Sequence, residues 1–190
     1  RGTIDVSIIN YRTGAMTRRR LQSVLKDLPP DSQVFIVDNA SGDDFGILIE
    51  DWLKRNPSAR AHLVRSPRNT GFSGGQNLGI SAGSSGFILL LNSDAELHPG
   101  CLARRLAAAR ADPGASLFFS RLEDPDGTVQ TSCFRFPGFA SEIIRGAASA
   151  AVTARLKRWD VPLERLPDPE HVDCASCRCP LERGRFRLNR

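Results

Sequence analysis

NTGFSGGQNLGI, residues 69–80, holds four glycines, two asparagines, a serine and a glutamine in twelve positions and runs directly into a segment of helical character. Two readings compete for it. Bare glycine backbone lets N–H groups close on an anion at a helix N-terminus. Glycine clusters also make plain tight turns between a strand and a helix. The order of elements on either side separates these readings.

Upstream, DVSIINY (Asp5–Tyr11) and QVFIVD (Gln33–Asp38) are apolar, β-branched runs of strand length. Between them, over Met16–Leu28, Leu21, Leu25 and Leu28 recur at helical spacing until Pro29 and Pro30 end the helix. A second helix over Phe45–Arg55 puts Phe45, Ile49, Trp52 and Leu53 on one face, and Ala61–Val64 makes a short strand. The glycine-rich stretch opens a third helix, about Ser73–Ala82, and FILLLN (residues 87–92) is the most apolar strand and the expected sheet centre. Strands alternating with helices predict an α/β fold: a mainly parallel sheet flanked by helices on right-handed crossovers.

Downstream the rhythm changes. Leu102–Ala111 reads as a helix stopped by DPG, Ala115–Arg121 as a strand, EDPDGTVQ as a hairpin turning at Asp126 and Gly127, and Ala140–Trp159 as one broken helix. From Pro162 onward four prolines remove periodicity, and loop or disorder is expected. One domain over residues 1–160 followed by an irregular tail, 161–190, is the expected organisation.

The formal charge of +5 sits mostly in that tail, where residues 178–190 carry five Arg against Glu182. The body is nearly neutral and shows no basic stripe interleaved with aromatics, so no nucleic-acid partner is expected. Five cysteines at 101, 133, 174, 177 and 179 make no disulfide framework. His171, Cys174, Cys177 and Cys179 lack the second knuckle of a structural zinc site, and ordinary reduced thiols are expected. No apolar run approaches the ~18–20 residues of a membrane span, and no secretory pattern opens the chain, so a cytoplasmic location is expected.

Ligands of open α/β sheets bind outside the carboxyl ends of the strands. Here every strand ends in polar groups: Asn10, Tyr11 and Arg12; then DNASGD, Asp38–Asp43; then the glycine-rich stretch with Asn69; then NSDAE, Asn92–Glu96. Taken singly, Asp38, Ser41 or Asp94 is as well read as a helix cap. Four such clusters on one edge point instead to a site. A carboxylate such as Asp94 at the tip of the most apolar strand suits a divalent cation, and one Asp suffices when a diphosphate shares the ion. A dinucleotide fold is disfavoured, because its G-x-G-x-x-G follows the first strand, whereas NYRTGAM does so here, and no G-x-x-x-x-G-K-[ST] occurs.

DVSIINYRTG, VFIVDNASGDD, NTGFSGGQNLGI and FILLLNSDAELHPG, in that order, resemble the family 2 glycosyltransferases of the GT-A fold, closest to the bacterial rhamnosyltransferase-like branch, over residues 4 to about 120. The resemblance implies a Rossmann-like sheet that binds a nucleotide sugar and inverts the anomeric carbon. It implies that Asn10 and Tyr11 touch the nucleoside, that Asp38 hydrogen-bonds the pyrimidine with Asn39 and Asn69 beside it, and that Gly74, Gly75 and Asn77 shape the loop against the donor. Asn92, Ser93 and Asp94 stand where such enzymes carry D-x-D, with Asp94 the ligand of Mg²⁺ or Mn²⁺; Asn92 departs from that motif. The implied partners are a nucleotide-sugar donor, favoured as dTDP-rhamnose, and a saccharide or lipid-linked acceptor that brings the enzyme to the inner membrane face. The likeness fades after Asp173, and the C-terminal acceptor part reads as truncated or irregular. No residue matches the catalytic base, so an inactive nucleotide-sugar-binding remnant stays open beside the enzyme.

Overall fold

The computed structural model describes residues 2–120, 122–124, 126–130, 133–134, 174–175 and 181–183. The chain divides into two compact units, one of residues 1–118 with 178–190 and the other of residues 119–177.

The first unit is the α/β sheet. Strands β1 (Ile4–Asn10), β2 (Val34–Asp38), β3 (Ala61–Arg65) and β4 (Phe87–Asn92) alternate with helices α1 (Gly14–Asp27), α2 (Phe45–Arg55) and α3 (Gly71–Ala82), and α4 (Cys101–Ala111) follows. With β5 (Leu117–Phe118) and a strand at Leu181–Arg183, the sheet order is β3-β2-β1-β4, then Leu181–Arg183, then β5. The four long strands run parallel. The strand at Leu181–Arg183 is antiparallel to both its neighbours, so the stretch expected to be irregular supplies the far partner of β4. The expected strand Ala115–Arg121 shortens to β5, since Leu117 is exposed and Asp112 turns the preceding chain by accepting from the Gly114 and Ala115 N–H groups.

Alternation along β1 divides the core. Ile4, Val6 and Ile8 join Leu21 and Val24 of α1, Phe45 and Ile49 of α2 and Leu102 and Leu106 of α4 in one apolar cluster. Ser7 and Ile9 meet α3 instead. The helix already starts at Gly71, at φ +70, so the glycine-rich stretch is neither a tight turn nor an open loop. Its glycines have a packing cause: a Cβ on Gly75 would sit 2.3 Å from Ile9 Cδ1, and one on Gly79 2.0 Å from Ser7 Oγ. Spaced four apart, the two bare positions let α3 lie close on β1, and Ser7 Oγ donates to Gln76 Oε1 at 2.7 Å across the contact.

Two carboxylates fasten the frame. Buried Asp5 accepts from the Gln33 N–H with Oδ1 and from the Ser84 and Ser85 N–H groups with Oδ2, joining the starts of β1, β2 and β4. Asp27, at the end of α1, accepts from the Gly100 and Leu102 N–H groups and so satisfies amides at the start of α4 that have no partner within the helix.

In the second unit the expected hairpin is present. β6 (Leu122–Glu123) pairs antiparallel with β7 (Val129–Gln130), turned by Gly127 at φ +85. There the Thr128 N–H, donating to Asp126 Oδ1, holds the Asp126 carboxyl below its ordinary range. β8 (Cys133–Phe134) pairs antiparallel with β9 (Cys174–Ala175), which makes Leu181–Arg183 β10. The expected helix over 140–159, the domain boundary near 160, and His171, Cys177 and Cys179 lie outside the described residues.

Gly79→Ala tests the helix-on-sheet contact. Overpacking at a site this close costs about 1–3 kcal/mol, so a thermal melt should shift several degrees downward. An unchanged melting temperature would mean that α3 does not rest on Ser7.

Candidate functional site at the strand tips

Register aligns the polar strand ends. Asn10 pairs with Asp38, Asp38 with Arg65, and Ile9 with Asn92, so the tips of all four parallel strands form one row. The chain moves outward from β1 through β2 to β3 and returns to the opposite side of β1 with β4. That reversal puts the topological switch between the tips of β1 and β4, where a ligand crevice is expected in such sheets.

Asn10 closes the row from inside. It is fully buried, and its carboxamide has no capacity left over: Nδ2 donates to Ser41 Oγ at 2.8 Å and to Asp38 Oδ1 at 3.5 Å, while Oδ1 lies 3.0 Å from Thr13 Oγ1 and 2.9 Å from Thr17 Oγ1. Thr13 Oγ1 is also 3.0 Å from Ser93 Oγ, which ties the start of α1 to the segment after β4 across the switch. Asn39, exposed by 2%, is a second saturated carboxamide. Its Nδ2 donates to Asn69 Oδ1 and the Gly71 carbonyl, and its Oδ1 accepts from the Thr70 N–H and hydroxyl. Asn10, expected to touch the nucleoside, and Asn39, expected beside the pyrimidine, therefore spend their side-chain hydrogen-bonding groups inside the protein, where they fix the residues around them. A Cβ on Gly75 would meet Ile9 and the Asn39 side chain, and one on Gly74 would meet Thr70.

The other expected residues are open to a ligand to different degrees. Tyr11 is 42% exposed, with the Arg12 guanidinium 5.3 Å from its ring centroid. Asp38 is half-buried; its Oδ1 accepts from Ser41, and its Oδ2 has no donor among the described residues. Asn69 is exposed and bent back by the Gly71 N–H on its Oδ1, while Asn77 is half-buried on α3. None of Asp38, Ser41 and Asp94 caps a helix: the residue before α2 is Asp44, and Asp43 Oδ1 receives the Phe45 N–H.

At the tip of β4, Asn92 Oδ1 is buried without a hydrogen-bond partner, and Asp94, two residues on, is exposed. A buried oxygen lacking a donor is costly unless something outside the chain meets it. An amide oxygen followed by a carboxylate is a hard, all-oxygen donor set of the kind Mg²⁺ or Mn²⁺ takes. These residues fit a divalent cation of which the protein supplies only part of the shell. Among the described residues no group of three or more His, Cys, Asp or Glu side chains surrounds a point.

Thr13 and Thr17 belong to this rim, although sequence patterns gave them no site role, and Arg12 and Ser41, read there only as members of the polar strand ends, join them. The signal was present as Asp38 and Ser41 three apart, a side-chain-to-backbone turn spacing, and as Thr13 and Thr17 four apart at a helix start.

Asn39→Ala removes the clamp on the start of α3. A lost internal hydrogen bond is worth about 1 kcal/mol, so hydrogen exchange of the Thr70 amide should quicken by about fivefold or more, with the β2 amides unchanged. Equal protection in both proteins would show that the turn holds without Asn39.

The fold is shared with other proteins. The sequence profile described as glycosyl transferase family 2 matches residues 5–155. An uncharacterized protein of Mycobacterium tuberculosis (strain CDC 1551) is 29% identical over 125 residues, which are 65% of this chain and 38% of that protein. Among solved structures, a mannosyltransferase from Pyrobaculum calidifontis in complex with GDP-Man and Mn²⁺ superimposes with a TM-score of 0.59 at 20% identity, over 66% of this chain and 37% of the other. TarS of S. aureus in complex with UDP-GlcNAc gives a TM-score of 0.56 at 19% identity, over 70% of this chain and 38% of the other. The chain thus spans less than two fifths of the length of each of these proteins. With four-fifths of its residues inside the profile and its polar strand ends gathered at the sheet's switch point, the chain belongs to glycosyl transferase family 2.

Proposed function

We propose that the chain binds a nucleotide sugar at the strand tips and transfers the sugar, with inversion, to a saccharide or lipid-linked acceptor in cell-envelope polysaccharide synthesis. The observation that carries this reading is the β4 tip, where an orphaned amide oxygen of Asn92 and the exposed carboxylate of Asp94 stand across the switch from the row of Asn10 and Asp38. Two structures of this fold hold sugar donors, GDP-Man with Mn²⁺ in one and UDP-GlcNAc in the other, which supports a nucleotide sugar as ligand here. The likeness of the four motifs to the rhamnosyltransferase-like branch favours dTDP-rhamnose among donors.

In this reading each residue has a limited task. Asp38 offers Oδ2 to an N–H of the base, and the exposed ring of Tyr11 offers a face to the nucleoside. Asn69 lies at the mouth of the same rim, and Asn77 and the first turn of α3 border it. Asn92 and Asp94 would hold Mg²⁺ or Mn²⁺, with the donor's diphosphate supplying further oxygens. A bound cation would offset charge growing on the departing diphosphate, an effect worth several kcal/mol in metal enzymes. A carboxylate must also take the acceptor's proton, and none of the described residues is assigned that step. An acceptor carried by lipid would bring the enzyme to the inner face of the membrane.

The decisive experiment pairs turnover with binding. With a panel of nucleotide sugars, the chain is expected to transfer or hydrolyse one donor only with Mg²⁺ or Mn²⁺ present. Asp94→Ala should lower that rate by about 10²–10³-fold and remove the metal's effect on nucleoside diphosphate binding, with an unchanged melting temperature. Binding without turnover would mark the chain as a donor-binding part alone. Turnover and metal response that survive in Asp94→Ala would overturn the assignment of the cation.

A further inference from the structure

Helix α1 and its cap hold the segment between β4 and α4 at three places, each seven residues from the next. Thr13 Oγ1 lies 3.0 Å from Ser93 Oγ, the Arg20 guanidinium donates to the Glu96 carboxylate, and Asp27 accepts from the Gly100 and Leu102 N–H groups. Seven residues are close to two helical turns, so Thr13, Arg20 and Asp27 lie along one stripe, about 21 Å from end to end. The segment after β4 is laid along that stripe.

Asp94 sits inside this stitching and is exposed, with no hydrogen bond or ion pair of its own among the described residues. It is the third residue of a turn from Asn92 to Ala95, closed by the Ala95 N–H on the Asn92 carbonyl at 3.2 Å. Ser93 on one side is tied by Thr13, and Glu96 on the other by Arg20. The place of the carboxylate is therefore decided by its neighbours. Stability does not account for the Arg20–Glu96 pair. An ion pair whose acid side chain is 66% exposed adds little, and this one leaves Arg20 Nε buried with no hydrogen-bond partner, which is a larger loss. An apolar side chain at position 20 would avoid that loss. Glu96 also borders a cleft with Arg19 and Lys26 of α1, and it pairs with neither.

We propose that Arg20 is a positioning residue: through Glu96 it holds the turn of Asn92 to Ala95 against α1 and so presets the Asp94 carboxylate for a divalent cation. This rests on the cation reading above and adds what keeps the ligand in place. A carboxylate already in place loses less freedom when the ion arrives, and freedom lost on binding is subtracted from affinity. Without Arg20, Glu96 is free to follow Arg19 or Lys26 into the cleft and to draw Asp94 away from Asn92.

The test is titration calorimetry of the full chain with UDP, dTDP and GDP, each with and without Mn²⁺, on the wild type, Arg20→Met, Glu96→Gln and the double variant, with thermal melting alongside. In the wild type, Mn²⁺ is expected to tighten the best-bound nucleotide by about tenfold or more. Arg20→Met and Glu96→Gln should each shrink that factor to about threefold or less and leave binding without Mn²⁺ unchanged. The double variant should be no worse than either alone, because both substitutions remove one contact. The melting temperature of Arg20→Met should hold or rise, since the buried donor leaves with the guanidinium. A larger Mn²⁺ effect in Arg20→Met would make Glu96 a ligand that Arg20 restrains, and losses that multiply in the double variant would make the two residues act separately; either result overturns the proposal. A lower melting temperature with weaker binding in the absence of Mn²⁺ would make the pair a structural contact and overturn it as well. A wild-type Mn²⁺ effect that both single variants keep would overturn the role of Arg20 and leave the donor and cation readings standing. Wild-type binding that ignores Mn²⁺ would remove the cation reading together with this proposal, and no binding of any of the three nucleotides would remove the donor reading too.

Discussion

The buried carboxamide of Asn10 is the constraint on which the rim depends. A primary amide removed from water must find four partners, because each unmet group costs about 1–3 kcal/mol. Asn10 finds them in Ser41 and Asp38 on one side and Thr13 and Thr17 on the other, while its backbone carbonyl accepts the Asn39 N–H at 2.9 Å. One residue at the end of β1 therefore sets the loop after β2, the first turn of α1 and, through Thr13, the segment after β4. Asn39 extends the arrangement to the start of α3. Polar networks of this kind rigidify when every member is satisfied. A preset rim costs less ordering when a ligand arrives.

The contact between α3 and the sheet shows the same economy in apolar form. Glycine in a helix interior costs about 0.5–1 kcal/mol each relative to alanine, and α3 carries glycines at 74, 75 and 79 beyond its first residue. That local penalty is offset by proximity. With no Cβ at 75 and 79, Ile9 and Ser7 fill the space and the helix axis drops toward β1. The close approach carries the N-terminus of α3 to Asn39 and thus to the rim. Gly75 and Gly79 thus serve to place the helix on the sheet.

The strands and helices of the first unit were legible because their apolar residues alternate or recur at helical spacing, and that pattern records burial directly. The row of polar strand ends was legible for the same reason, since each apolar run stops at a polar residue. Three features were hidden. The first turn of α3 is glycine and serine, whose weak helix propensity masks a helix that tertiary contact stabilises. The strand Leu181–Arg183 pairs with Phe87–Leu89 across some ninety residues, and three residues between Pro180 and Gly184 carry no periodicity. At the site, Ser41 and the two threonines look like any turn or cap former, because local hydrogen bonding is what these side chains do everywhere. Only the register Asn10 to Asp38 brings their partners together.

Charge at the rim constrains what can sit there. Asp38 and Asp94, each with an oxygen that accepts no hydrogen bond among the described residues, lie on opposite sides of the switch, and Arg12 on the same edge has no carboxylate partner among them. At about 4 Å and an effective dielectric near 20, two like unit charges repel by about 4 kcal/mol. A diphosphate brought against Asp94 unaided would meet that repulsion, and Arg12 is bound to the β2 side by Ser41. A divalent cation held by Asn92 and Asp94 would turn that repulsion into attraction and would give the unmet Asn92 oxygen a partner. On the proposed reading, nucleotide and cation would therefore bind as one unit, each raising the affinity of the other, because the carboxylate that attracts the ion is the group that repels the phosphates in its absence.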